Sequence, residues 1–227
     1  GFRSALSERG RQTLALIMTR PLRQWQFLAG KLAAGAVLIS TGLLAVFVLA
    51  ALLLQLISGV GLGLGDLGRI AIVWAVASFY VMAFFTFTFI ATLWIKRPAN
   101  ALLVSFAVWL LLVLVAPQIG DTLDPDNQVA GGVFKQLMVP KAEQDRIKAG
   151  YGTFETIRNG IEASSITKHF ERFSFAVLGI KDNYTGMPLG PILVEKKGDF
   201  FWIFLTSLGL AFVMFVRPLK SDRLTKE

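Results

Sequence analysis

Four long runs without a single charged side chain constrain this chain more than any other feature: residues 32–57, 70–95, 99–120 and 200–216. Crossing the hydrocarbon of a bilayer takes about 20 apolar residues in a helix. The first three runs meet that length, and the fourth, at about 1.5 Å rise per residue, reaches its lower limit. Inside lipid the backbone must satisfy its own hydrogen bonds, so each run predicts a transmembrane helix. The sharp edges of the last run, Glu195, Lys196, Lys197 and Asp199 before it and Arg217, Lys220 and Arg223 after it, support the same reading. Composition agrees, with 54% hydrophobic residues, 17% charged and a mean hydropathy of +0.60. The expected fold class is an all-α integral membrane protein.

Charge sets the expected orientation. Four crossings put residues 1–31, the 96–98 turn and the 217–227 tail on one side. These segments hold Arg3, Arg9, Arg11, Arg20, Arg23, Lys31, Lys96, Arg97, Arg217, Lys220, Arg223 and Lys226 against Glu8, Asp222 and Glu227. Because the chain as a whole carries +8, the rest of it is close to neutral, its Lys and Arg offset by an almost equal number of Asp and Glu. Lys and Arg favour the cytoplasmic side of short flanks, so both termini of this sequence are expected in the cytoplasm of a multi-pass protein of the cell inner (plasma) membrane. The same split explains the basic balance without nucleic acid, which would call for one concentrated patch.

Several chemistries have no support. There is no Cys and only one histidine, His169, so neither a thiolate nor a multi-histidine metal site is possible within one copy. No ionisable residue lies deep in a span, which removes candidates for a proton relay or a buried catalytic carboxylate. No P-loop for ATP occurs. The 58–69 connection contains Gly63 to Gly68 in a G-x-G-x-x-G spacing, but it joins two spans and lacks the strand a dinucleotide loop needs, so it reads as a tight turn with Asp66 and Arg69 at headgroup level. Asp121, Asp124 and Asp126 lack the glycine and glutamate of a calcium loop and read as an acidic turn. His169 beside Glu171 reads as a surface residue, and Asn183-Tyr184-Thr185 is a glycosylation sequon only in a secretory-pathway protein.

Two regions remain for function. Residues 121–199 are too long for a connection and are expected to form a helical extracytoplasmic insertion with a possible extracytoplasmic partner, its first part turn material and, from Pro140, two or three helices against the outer membrane face. Phe173, Phe175, Val177, Leu178 and Ile180 are candidates to dip into the interface. Hydroxyls in the second span, Ser78, Thr86, Thr88 and Thr92, either cap carbonyls of their own helix or reach a neighbour. At the other end, residues 4–19 interleave Leu6, Leu14, Leu16, Ile17 and Met18 with Arg9, Arg11, Gln12 and Thr13. This predicts a short amphipathic helix ended by Pro21 and followed by an interfacial belt in which Trp25 sits at headgroup depth and Lys31 snorkels. Amphipathicity alone fits a surface-lying anchor or a docking element equally.

The stretch SERGRQTLALIMTRPLRQWQFLAGK over residues 7–31 resembles the segment before the third span of ABC-2 type transporter permeases, which commonly reads S-E-x-E-x-G-T-L-x-L-L-L-x-x-P-x-S-R-x-x-x-L-x-G-K. Ser7, Glu8, Thr13, Leu14, Leu16, Pro21, Leu28, Gly30 and Lys31 stand at matching positions, and Gly10, Gln12, Arg23 and Gln24 depart from it. The resemblance implies a six-helix permease whose third to sixth helices are the four spans here, so two N-terminal helices are expected outside this sequence. It also implies that residues 1–31 hold a cytoplasmic coupling helix on which a separate ATP-binding cassette subunit pushes. Glu8, Arg9, Arg11, Thr13, Leu14, Leu16, Ile17 and Pro21 would then couple to that subunit, with Trp25 and Lys31 as the interfacial anchor. ATP and Mg would be bound by the partner and no cofactor by this chain, and a second permease copy or homologue would complete the path. The competing classes are a membrane-anchored binding or scaffold protein acting through 121–199, and a membrane enzyme, for which no catalytic spacing is found.

Overall fold

The structure, a computed structural model, describes residues 24–59, 61–95, 97–122, 133–150, 152–180 and 182–216. All regular structure among them is helical. Four helices are long and apolar enough to cross a membrane. They are α1 (Gln24–Ser58), α2 (Leu64–Trp94), the rod that starts as α3 (Pro98–Leu110), and α10 (Lys197–Val216). Between α3 and α10 come α4 (Ala116–Thr122), α5 (Val133–Gln136), α6 (Lys141–Gly150), α7 (Gly152–Ser164), α8 (Ile166–Leu178) and α9 (Leu189–Glu195). From Pro140 on, α6, α7 and α8 are the two or three helices expected there, with the short α5 before them and α9 after.

The helices also start earlier than the charge-free runs. α1 begins at Gln24, so Trp25 and Lys31 belong to its first turns. α2 begins at Leu64 inside the glycine-rich stretch. Its first turn is held by Asp66, whose Oδ2 accepts the Gly63 N–H at 3.0 Å, while the N–H groups of Asp66 and Leu67 donate to the Gly63 carbonyl. An acid three residues into a helix satisfies an otherwise orphaned N–H and complements the positive helix end. The reversal between the first two spans is therefore confined to residues 59–63, with Gly59 in the left-handed region at φ 65°.

The chain divides into two compact units. One comprises residues 1–107 with 170–227, the other residues 108–169. In the first, α2 packs against both α1 and α10. Trp74 Nε1 donates to the Ser40 carbonyl at 3.0 Å, whereas Leu28 clusters with Phe89, Ile90 and Met214. As the contact position rises along α2 it falls along α1, so these two run antiparallel. Phe79 meets Phe204 edge-on at 5.2 Å and its carbonyl accepts the Ser207 hydroxyl at 2.5 Å, and Met214 follows near Phe89. α10 therefore runs parallel to α2, the sense required of alternating spans.

Small side chains let these helices approach. A Cβ at Gly35 of α1 would lie 2.5 Å from the Phe85 ring of α2, so that ring rests against bare backbone, as small-residue packing in membranes requires. The second-span hydroxyls resolve toward their own helix. Ser78 donates to the Trp74 carbonyl at 3.0 Å, Thr86 to Met82 at 2.8 Å and Thr92 to Phe89 at 2.7 Å. Each of these three thus bonds a carbonyl of its own helix.

In the second unit the rod of α3 passes through a π-helical segment, Leu111–Val115, into α4. The Ala116 N–H reaches back to the Leu111 carbonyl. Pro117 follows, lacking an N–H and carrying a ring that would collide with the carbonyl four residues earlier in a tight helix. The wider turn relieves that collision. α4 and α6 each pack on α7. Between α5 and α6 the Val139 N–H bonds to Phe134 O at 3.0 Å and Gln144 Nε2 to Val139 O at 2.7 Å, closing the turn at Met138.

Candidate functional site

The coupling residues expected from the sequence, Glu8, Arg9, Arg11, Thr13, Leu14, Leu16, Ile17 and Pro21, lie outside the described residues, and so do Asp124 and Asp126. What the structure describes is the end of the bundle to which that segment is joined. Leu28, Phe89, Ile90 and Met214 form one buried cluster, with Phe27, Leu32, Leu93, Trp94 and Leu210 packed around it. The start of α1, the end of α2 and the end of α10 thus meet at one level. The three basic segments flanking the spans, 1–23, 96–97 and 217–227, are all joined to helix ends at this level. Trp25 is 54% exposed, and Lys31 Nζ lies 5.7 Å over the Phe27 ring, a cation held against an aromatic face.

At the opposite end of the bundle the polar groups are organised into a collar. The α8 helix ends in a Schellman arrangement, with Gly179 at φ 69°, its N–H donating to Ala176 O at 3.1 Å and the Ile180 N–H to Phe175 O at 3.0 Å. This pattern leaves the Val177 carbonyl over. Arg69 of α2 supplies the donor, with Nη1 2.7 Å from Val177 O, and its Nη2 donates to the Met187 carbonyl. A guanidinium fits this position because it presents two donors at once and puts positive charge at the negative end of α8. Thr185 Oγ1 donates to Gly179 O at 3.1 Å, closing the 179–187 loop on itself.

The rest of the collar ties α8 and this loop to α10. Arg172 Nε stands 3.4 Å from Asp199 Oδ1, and Phe173 and Phe200 rings lie 6.2 Å apart. Tyr184 OH donates to Glu195 Oε1 at 2.5 Å, Lys196 Nζ is 3.2 Å from the same oxygen and 5.2 Å above the Tyr184 ring. The Tyr184 hydrogen bond, aided by Lys196, holds the Glu195 carboxyl below its ordinary range. Burial pulls Lys196 down, but Tyr184 and Glu195 outweigh it and the ammonium is held above its ordinary value. Lower on α8, Phe170 stacks on Tyr80 of α2 at 4.7 Å.

This arrangement corrects the reading of α8 as a surface whose apolar residues dip outward. Phe173 and Val177 are fully buried, as is Ala176, because α8 turns this face onto α2 and α10, and only Leu178 and Ile180 stay exposed. His169 keeps the surface position expected of it, with Nε2 3.0 Å from the Ala163 carbonyl. Sequence reasoning missed the roles of Arg69 and Tyr184. Arg69 carries the expected signature of a charge at a span edge, but nothing in the order of residues pairs it with a carbonyl more than a hundred positions away.

A family profile described as ABC-2 family transporter protein matches residues 1–216. The chain belongs to the ABC-2 transporter family. The match extends through all four apolar helices as well as the 7–31 stretch, and it supports a permease, the transmembrane subunit of an ABC transporter, a type of chain without its own ATPase site. Comparison with curated proteins and with solved structures gives no match. An ABC-2 permease is a multi-pass membrane protein whose family implies an ATP-binding cassette partner in general.

Proposed function

We propose that this ABC-2 chain is the transport subunit of an ATP-driven transporter, moved by a separate ATP-binding subunit that docks on residues 4–20. The observation that carries the reading is the family match over 1–216, taken with the convergence of α1, α2 and α10 at the end joined to the basic segments. In this reading the Leu28 end faces the cytoplasm and the collar faces outward, with the chain in the plasma membrane. The four spans are the third to sixth helices of a permease, and a second copy or homologue completes the translocation path.

The driving force is external to this chain. The partner binds and hydrolyses ATP with Mg, and its closure displaces the helix preceding Pro21. Glu8, Arg9 and Arg11 offer charged contacts to the partner, while Leu14, Leu16 and Ile17 pack toward the spans. Movement needs a stiff receiver. The continuous α1, 35 residues from Gln24, begins three residues after Pro21 and is joined to α2 through Leu28 with Phe89 and Ile90. A push at the N-terminal segment therefore reaches two spans through packed side chains.

Co-purification tests this. The chain, tagged at its C-terminus and extracted in mild detergent, is expected to recover an ATPase subunit, and Glu8→Ala with Leu14→Asp is expected to lose it. Absence of any associated ATPase in wild-type membranes would contradict the proposal.

A further inference from the structure

The Arg69 contact does more than cap a helix. α2 is a 31-residue rod whose far end packs with α1 at Leu28 and with α10 at Met214. Its near end carries the guanidinium that holds both the Val177 carbonyl, at the end of α8, and the Met187 carbonyl, across the following loop. These two acceptors are ten residues apart in sequence and both belong to backbone, so one side chain bridges two separate points of the main chain. Around them the loop is self-closed by Thr185 onto Gly179. It is also pinned to the α9–α10 junction by Tyr184 on Glu195.

From this geometry we infer that Arg69 is a positioning residue: it fastens residues 177–196 to α2, so that the collar is carried as a rigid extension of that span whenever α2 moves. The inference rests on the permease reading for the source of the movement, but the fastening itself does not depend on it. Charge-assisted hydrogen bonds from one planar fork to two carbonyls set both distance and orientation, which a point charge cannot do. Arg69→Lys keeps the positive charge at the α8 end but not the fork, and Arg69→Met removes both.

The chain has no cysteine, so labels can be placed singly or in pairs on the natural background. Hydrogen exchange on the purified chain in nanodiscs reads the fastening. The Gly179, Ile180 and Met187 amides, all bonded, are expected to exchange about tenfold faster or more in Arg69→Met and to lie between in Arg69→Lys, as loss of charge-assisted bonds implies. Unchanged exchange in Arg69→Met would overturn the inference.

The second reading uses spin labels at Leu67 and Val194, exposed positions on α2 and α9, in the complex with its ATPase subunit. The wild-type distance is expected to stay the same with and without ATP and vanadate. In Arg69→Met it is expected to broaden and become nucleotide-dependent while the complex still forms. A wild-type distance that changes with nucleotide would overturn the coupling even if the exchange result holds. Failure to recover any ATPase counts against the permease reading and leaves the exchange result to decide the fastening.

Discussion

Gly35 and Phe85 show how single residues set the bundle. The Phe85 ring occupies the space a side chain on Gly35 would need, and it continues into a stack with Phe89 at 6.4 Å, next to the Leu28 cluster. Gly35→Leu is expected to push that ring off its seat and destabilise the α1–α2 contact by about 1–3 kcal/mol, the usual range for overpacking. A fall in the thermal midpoint in detergent checks this, and an unchanged midpoint would contradict it. Glu195 and Lys196 set the pH behaviour of the collar. Glu195 is held below its ordinary value, so what it contributes is complete above the ordinary carboxylate range and is lost as pH falls through the lowered value. Lys196 is held above its ordinary value, so its contribution is complete below the ordinary lysine range and is lost as pH rises through the raised value. Exchange in 182–187, corrected for its intrinsic pH dependence, is therefore expected to be flat through neutrality and to rise only at the two extremes. A transition near neutral pH would contradict the assignment.

At the scale of elements, the third rod is the least regular. Its π-helical segment lies between α3 and α4 and Pro117 is the second residue of α4, and the cause is the proline, which cannot donate and needs room. Pro117→Ala restores a donor and is expected to slow amide exchange over residues 113–118; if exchange there is unchanged, the proline is not the cause. The existence of the four spans was legible because charge-free runs of this length have one physical solution in lipid. Their starts were less legible. Lys31 set the start of the expected first run at residue 32, yet α1 continues back to Gln24, since Lys and Trp side chains are as compatible with a helix at the membrane boundary as with a loop. α2 starts at Leu64 because Asp66 caps it, a signal present in the spacing from Gly63 but masked by five nearby glycines. The face of α8 was misread for a different reason. Its periodicity marks Phe173 and Val177 as one stripe, but whether lipid or protein covers a stripe is decided by tertiary packing, here by Phe200 beside Phe173 and Tyr80 of α2 on Phe170.

For the whole molecule, in the function proposed above a push at the N-terminal segment reaches the collar at the opposite end of the bundle through one rod, α2. Orientation rests on charge: the helix ends that meet at Leu28, Phe89 and Met214 are those joined to the basic segments, while the opposite end carries Asp66, Glu195 and Asp199 among its cations. Function was legible only through the 7–31 motif, since helices that pack by aromatic and small residues serve many purposes. The central claim is that an ATPase subunit acts on residues 4–20. The most direct measurement places one cysteine at Thr13 and, separately, one at Asn183, both on the natural cysteine-free background, and treats native membranes with a bifunctional thiol–amine cross-linker with and without ATP and vanadate. The account predicts a cross-link from Thr13 to an ATP-binding subunit whose yield changes with nucleotide, and none from Asn183. No cross-link from Thr13 in either state, or one formed instead from Asn183, would contradict it.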